Sequence, residues 1–187
     1  MTPGTEMLLI RHAPVAEPGR LAGRTDLAAR IEPEAIAALA ALLAAPRRIV
    51  TSPAARCVET ARALFPGRAA TTDPRLWEQD FGRYDGAPLE SLPDIGALSA
   101  AALAAHRWEG GESFEDMAAR VASALSGLPG GGPVAIVAHA GTVRAALAWA
   151  MGATAPALAF QVAPLSLTRL IRHPAGIAVG CVNRTAA

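Results

Sequence analysis

The sequence predicts an α/β fold, a three-layer sandwich with helices on both faces of a mainly parallel central sheet. Two short runs, residues 7–10 and Val134–Ala138, are apolar at every position, as strands buried on both faces are. Between them, helical periods alternate with further short runs, the pattern of parallel strands joined by crossover helices. Towards the C-terminal end the pattern becomes β-like about a turn, which predicts an antiparallel edge. At 187 residues the chain is expected to form one domain, 1–187, with one sizeable core.

The first run, Met7-Leu8-Leu9-Ile10, ends in Arg11 and His12, so a buried strand delivers two polar side chains at its carboxyl end. Residues 32–45 read as a helix: Pro33 sits near the start, Ile36, Leu39, Leu42 and Leu43 recur at helical spacing, and Pro46 closes it. Residues 48–51 form a second short strand. Ser52 and Pro53 read as the cap and first-turn proline of a helix over 54–64, with Arg56 near its first turn and Pro66-Gly67 as its stop.

Residues 73–93 are rich in Gly, Pro, Asp and aromatic side chains without a sustained period, so a long irregular excursion is expected, partly roofing the strand ends. Helices are expected over 95–106 and, after Glu109-Gly110-Gly111, over 113–128, where Phe114, Met117, Val121 and Leu125 share a face. Gly127 to Pro133 breaks the chain before the strand that ends at His139, and Gly141-Thr142 opens a helix to about Ala150. Residues 165–172 and 177–183 form the terminal hairpin about His173-Pro174-Ala175-Gly176.

Composition narrows the function classes. A net charge of +1 with 18% charged residues supplies no basic footprint for nucleic acid or anionic membrane, so the expected partner is small. Two cysteines, Cys57 and Cys181, fit neither a disulfide scaffold nor paired zinc ligands, which points to a reducing cytoplasm. The first residues carry no basic n-region and the Ala-rich stretches are broken by charges or proline, so neither a secretory leader nor a transmembrane helix is expected.

Two predicted strands far apart in sequence finish in histidine, at His12 and His139, and a parallel sheet would bring both imidazoles to one edge. Arg11 beside the first and Arg56 at a helix start add two guanidiniums. Such a group matches a phosphoryl centre, with an imidazole to attack phosphorus and fixed forked cations to neutralise and orient the equatorial oxygens. A metal is not expected: no HxH, HExxH or clustered Asp pattern occurs near either histidine, and adjacent arginines repel a divalent cation. Gly130-Gly131-Gly132 lacks the Lys and Ser or Thr of a nucleotide phosphate loop.

The motifs LLIRHA (8–13), GRTD (23–26), TSPAARCVETA (51–61), LWEQDFGRYDG (76–86), GGESF (110–114) and VAHAGTVR (137–144) resemble those of the histidine phosphatase superfamily, which includes the cofactor-dependent phosphoglycerate mutases. The resemblance implies a phosphoglycerate mutase-like fold with no metal or cofactor. It implies His12 as nucleophile, Arg11, Arg56 and His139 as phosphoryl ligands, and Glu78 as proton donor to the leaving oxygen. Ala140 joins the phosphoryl-binding set, and Arg24 and Thr25 are candidate substrate contacts. The residues agree with these roles. A neutral imidazole is a good nucleophile near pH 7, a guanidinium keeps its charge at any working pH, and the apolar neighbours of Glu78 suit a proton donor.

Departures bear on substrate. The family usually has Gly and then Glu or Gln after the first Arg-His pair, where this chain has Ala13-Pro14, and the usual Trp-Glu after Phe81-Gly82 is replaced by Tyr84-Asp85. Mutase-type contacts therefore do not carry over, and no long insertion is present to build a lid over phosphohistidine. Hydrolysis of a small phosphomonoester is the expected activity, by a monomer or homodimer. The branch most similar is the α-ribazole phosphate phosphatases of cobalamin synthesis, with Trp77, Phe81, Tyr84 and Trp108 as candidate walls for a base. The alternatives are a broad-specificity phosphatase, a phosphoglycerate mutase and, in another class, a non-catalytic module that binds a phosphorylated ligand. Cys57 is expected to pack on its helix, and His106 and His173 to lie at the surface.

Overall fold

The computed structural model describes residues 4–186. Residues 1–3 and 187, and with them part of the leader expectation and both ends of the expected domain, lie outside the described residues. The strands are β1 (Thr5–Arg11), β2 (Arg48–Thr51), β3 (Thr71–Thr72), β4 (Val134–Ala138), β5 (Leu167–His173) and β6 (Gly176–Arg184). The helices are α1 (Pro33–Ala40), α2 (Ala55–Leu64), α3 (Ala100–Ala105), α4 (Phe114–Ser126) and α5 (Ala140–Met151).

The strands form one six-stranded sheet in the order β3-β2-β4-β1-β5-β6. From β3 to β1 all neighbours run parallel, and β5 and β6 are antiparallel, so the mainly parallel sheet with an antiparallel edge is what the chain forms. Because side chains alternate along a strand, β1 feeds two cores. Met7 and Leu9 pack with α3, α4 and α5 on one face, whereas Leu8 and Ile10 pack with α1 and α2 on the other. A strand buried on both faces tolerates no polar position in its middle, which is why the sequence shows an unbroken apolar run.

Helix boundaries shift most at α1 and α3. Helix α1 stops at Ala40, not Ala45, because Leu42 and Leu43 bond to the carbonyls of Leu39 and Ala40 in a tightened last turn ahead of Pro46. Helix α3 begins only at Ala100: Gly96 sits at φ +72°, and the Ser99 hydroxyl accepts the N–H of Ala102 as N-cap. Helix α2 is capped at Ala54 without a side-chain bond, so Ser52 is not its cap. The excursion over 73–93 is built of three short 3-10 turns at Pro74–Leu76, Gly82–Tyr84 and Leu89–Ser91.

Candidate active site

Strand register creates the site. Arg11 of β1 is paired with Ala138 of β4, and the His12 N–H donates to the Ala138 carbonyl at 2.9 Å, so the next residue on each strand is a histidine. The two imidazoles meet edge to face with centroids 5.2 Å apart. His12 Nδ1 donates to the Ala13 carbonyl at 2.6 Å, which leaves the lone pair on Nε2. The backbone that supplies this acceptor is itself tied down, the Ala13 N–H donating to the Thr60 hydroxyl, which donates to the Arg56 carbonyl. Burial lowers His12 to about 3, the Arg56 and Arg11 charges adding to it and the Ala13 bond opposing.

His139 is fully buried. Its Nε2 shares a 2.8 Å hydrogen bond with Ser52 Oγ, and Cys57 Sγ lies 3.6 Å away. Burial and then Arg56 hold His139 well below the usual imidazole value, and burial pushes the Cys57 thiol up. With both imidazoles neutral, the site's positive charge comes from its arginines.

Arg11 Nη1 donates to the Val162 carbonyl at 2.6 Å, and Arg56, with no exposed surface, donates to the carbonyls of Thr25, Ala22 and Gly23 at 2.8 to 3.0 Å. Neither forms an ion pair among the described residues. In both, Nε–H is buried without an acceptor. A buried unpaired donor costs about 1–3 kcal/mol, a cost that a bound oxyanion removes. Burial draws Arg11 down from its usual value, with Glu78 opposing and Arg144 and Arg56 adding to the fall.

The loop carrying Arg24 and Thr25 is fixed from both sides. Arg56 takes its carbonyls, and Asp85 Oδ1 accepts the N–H groups of Gly23, Arg24 and Thr25. Arg24 lies over the Trp77 ring at 5.6 Å, and Trp77 is stacked nearly parallel on His139 at 6.3 Å. Arg24 thus reaches the rim of the histidine pair, while Thr25 faces Gly86 of the roof. Asp26 accepts the N–H of Ala55 at 2.7 Å and so ties the start of α2 to this loop.

Glu78 binds the start of α5. Its Oε2 accepts the Gly141 N–H at 3.1 Å and its Oε1 the Gln79 N–H at 3.0 Å. Its carboxylate is therefore held by two backbone N–H groups, one of them at a helix N-terminus. Ala140, the first residue of α5, has no helical acceptor for its N–H and stands next to His139. Of the four candidate wall aromatics only Trp77 joins the site. Phe81, Tyr84 and His106 pack edge to face against Trp108 instead, at 5.3 to 5.5 Å, because ring edges attract ring faces. Ser52, Thr60, Asp85, Glu112 and Arg120 all support the site, and none of them was expected in it. Ser52, Thr60, Asp85 and Glu112 lie in the quoted motifs, whereas Arg120 lies within the expected helix over 113–128, outside all of them. Among the described residues no group of three or more His, Cys, Asp or Glu side chains is placed to hold a metal ion.

Comparison with known proteins gives the family. The family model described as histidine phosphatase superfamily (branch 1) matches residues 7–185. A mycobacterial glucosyl-3-phosphoglycerate phosphatase superimposes with a TM-score of 0.84 at 26% identity, covering 97% of this chain and 100% of that one. Two more distant structures share the fold. One is a protein assigned as an α-ribazole-5′-P phosphatase from Escherichia coli (TM-score 0.83, 20% identity, 97% of both chains). The other is a phosphoserine phosphatase from Entamoeba histolytica (0.82, 19%, 97% and 98%). No curated protein matches the sequence. With its doubly covered sheet, its paired strand-end histidines and a family match over nearly its whole length, the chain belongs to the histidine phosphatase superfamily and is a phosphatase.

Proposed function

We propose that the chain hydrolyses a small phosphomonoester in two displacements through a phosphohistidine on His12, without metal or cofactor. The observation that carries this reading is the pair of buried, acceptorless Nε–H groups of Arg11 and Arg56 beside an imidazole whose Nε2 is left unpaired. In the first step Nε2 attacks phosphorus and forms the N–P bond while the P–O bond to the leaving group breaks. Arg11, Arg56, His139 and the Ala140 N–H hold the phosphoryl oxygens, and Glu78 protonates the departing alkoxide. In the second step water bonds to phosphorus and returns its proton to Glu78 as the N–P bond breaks, releasing inorganic phosphate.

Arg24, over Trp77, is the residue best set to touch the rest of the substrate, and Thr25 serves its loop. The finer reading is α-ribazole phosphate, which rests on the GGESF segment and on Arg11-His12-Ala13-Pro14, with Trp77 as the available aromatic wall. Two free cysteines keep a reducing cytoplasm within this proposal.

The test is turnover of an aryl phosphate before and after prolonged chelation. An unchanged rate is expected. Phosphate binding without turnover would make the chain a binding module, and a loss restored by manganese or zinc would assign a metal mechanism. In a screen of phosphate esters, α-ribazole phosphate should exceed sugar phosphates and 3-phosphoglycerate by about tenfold or more in kcat/KM, about 1.4 kcal/mol in transition-state binding. A flat profile would leave broad specificity, and isomerised phosphoglycerate would indicate a mutase.

A further inference from the structure

The segment that carries Glu78 is bonded to the helices beneath it at almost every step. The carbonyls of Arg75, Trp77 and Glu78 all accept from one side chain, Arg120 of α4, at 2.7, 2.8 and 2.9 Å. Between them the Leu76 carbonyl accepts from Thr142 of α5 at 3.1 Å. Arg120 is in turn gripped through Nε and Nη2 by the Glu112 carboxylate, just ahead of α4. Glu112 also reaches past Glu78: its carboxylate accepts the Asp80 N–H at 3.0 Å, its carbonyl accepts from Gln79 Nε2, and its own N–H donates to the Asp80 carbonyl. The pair is mostly buried, with side-chain exposures of 18% and 15%.

A loop held only for stability needs its buried carbonyls satisfied by some donor. Here four successive carbonyls are satisfied by side chains of the two helices that pack against the site, and one planar guanidinium serves three of them. That arrangement fixes where the Glu78 carboxyl stands relative to the start of α5, and rotation of the segment would break several bonds together.

We infer that Arg120 and Glu112 are positioning residues that act through Glu78, setting the distance from its carboxyl to the leaving oxygen. The inference rests on the reading of Glu78 as proton donor. Neither residue belongs to the proposed phosphoryl-binding set; Glu112 Oε1 also stands 4.0 Å from Arg24 Nη2, so Arg120→Lys, which leaves that pair in place, is the cleaner variant. Their loss therefore falls on the proton-transfer step and spares esters whose leaving group needs no proton.

The experiment measures kcat and KM for an alkyl phosphate and for p-nitrophenyl phosphate in Arg120→Lys, Glu112→Gln, Glu78→Gln and the double variants with Glu78→Gln. Arg120→Lys keeps the charge but loses the fork, so kcat on the alkyl ester should fall about tenfold or more, and on p-nitrophenyl phosphate by less than about threefold. KM should stay within about twofold, and neither substitution should cost anything further once Glu78 is Gln. Glu112→Gln keeps size and one oxygen acceptor, so it supplies the same test if Arg120→Lys does not fold. Equal losses on both esters, or losses that add to that of Glu78→Gln, overturn the positioning role. If Glu78→Gln itself slows both esters equally, the proton-donor reading fails and takes the inference with it.

Discussion

Glu78 Oε2 accepts the backbone N–H of Gly141 at 3.1 Å, two residues beyond His139. That contact requires glycine for reasons of space: a Cβ at 141 would stand 2.0 Å from Glu78 Oε1 and 3.0 Å from the Met117 sulfur. Gly141→Ala should therefore push the carboxyl out of place while leaving the histidines and arginines intact. For alkyl phosphates kcat should fall towards the roughly 100-fold loss expected on removing a general acid, with aryl esters of good leaving groups much less affected. Wild-type rates on both would show that the carboxyl position is not critical.

Arg56 combines two jobs that lysine cannot share. Its guanidinium donates to three carbonyls of the 22–25 loop and still presents a free Nε–H. Arg56→Lys should lower kcat/KM about 100-fold or more through loss of the two-point grip on the phosphoryl group. It should also destabilise the fold by about 3 kcal/mol, since buried carbonyls lose their donors. Urea unfolding and steady-state kinetics check the two effects separately, and an active, equally stable Lys variant would refute both.

Acid should weaken the fold through the histidines. Burial holds folded His12 at about 3, whereas the unfolded imidazole titrates near 6.5. Between these values the unfolded chain binds a proton that the folded chain does not. Stability present above pH 6.5 is therefore lost as pH falls, by about 1.4 kcal/mol per pH unit for each such site. His139 is shifted in the same direction. Between pH 7 and pH 5, His12→Gln should flatten the loss seen in urea midpoints by about 2 kcal/mol. An identical loss with and without His12 would mean that this imidazole protonates normally in the folded chain.

What the sequence revealed follows from how far each contact reaches. Strands β1 and β4 could be read because strands buried on both faces leave an unbroken apolar run, and their last residues named the site edge. Helix α4 was legible for the same local reason, since Phe114, Met117, Val121 and Leu125 recur at helical spacing and are all buried. Contacts across tens of residues left no such trace. Ser52 resembled a helix cap until β4 was laid beside β2, which gave its hydroxyl to His139. Asp85 looked like a loop residue, yet its carboxylate collects N–H groups some sixty positions earlier in the chain. Trp108 could not be told from a substrate wall, because edge-to-face packing depends on where three loop aromatics converge.

The central claim is the bond between His12 and phosphorus, and rapid acid-free quenching of the enzyme during turnover of a radiolabelled phosphate ester tests it most directly. An acid-labile, base-stable adduct should appear within one turnover and map to His12 by mass spectrometry, and His12→Ala should abolish both adduct and turnover. A His12→Ala enzyme that turns over at the wild-type rate, or an adduct that maps to His139, would contradict it.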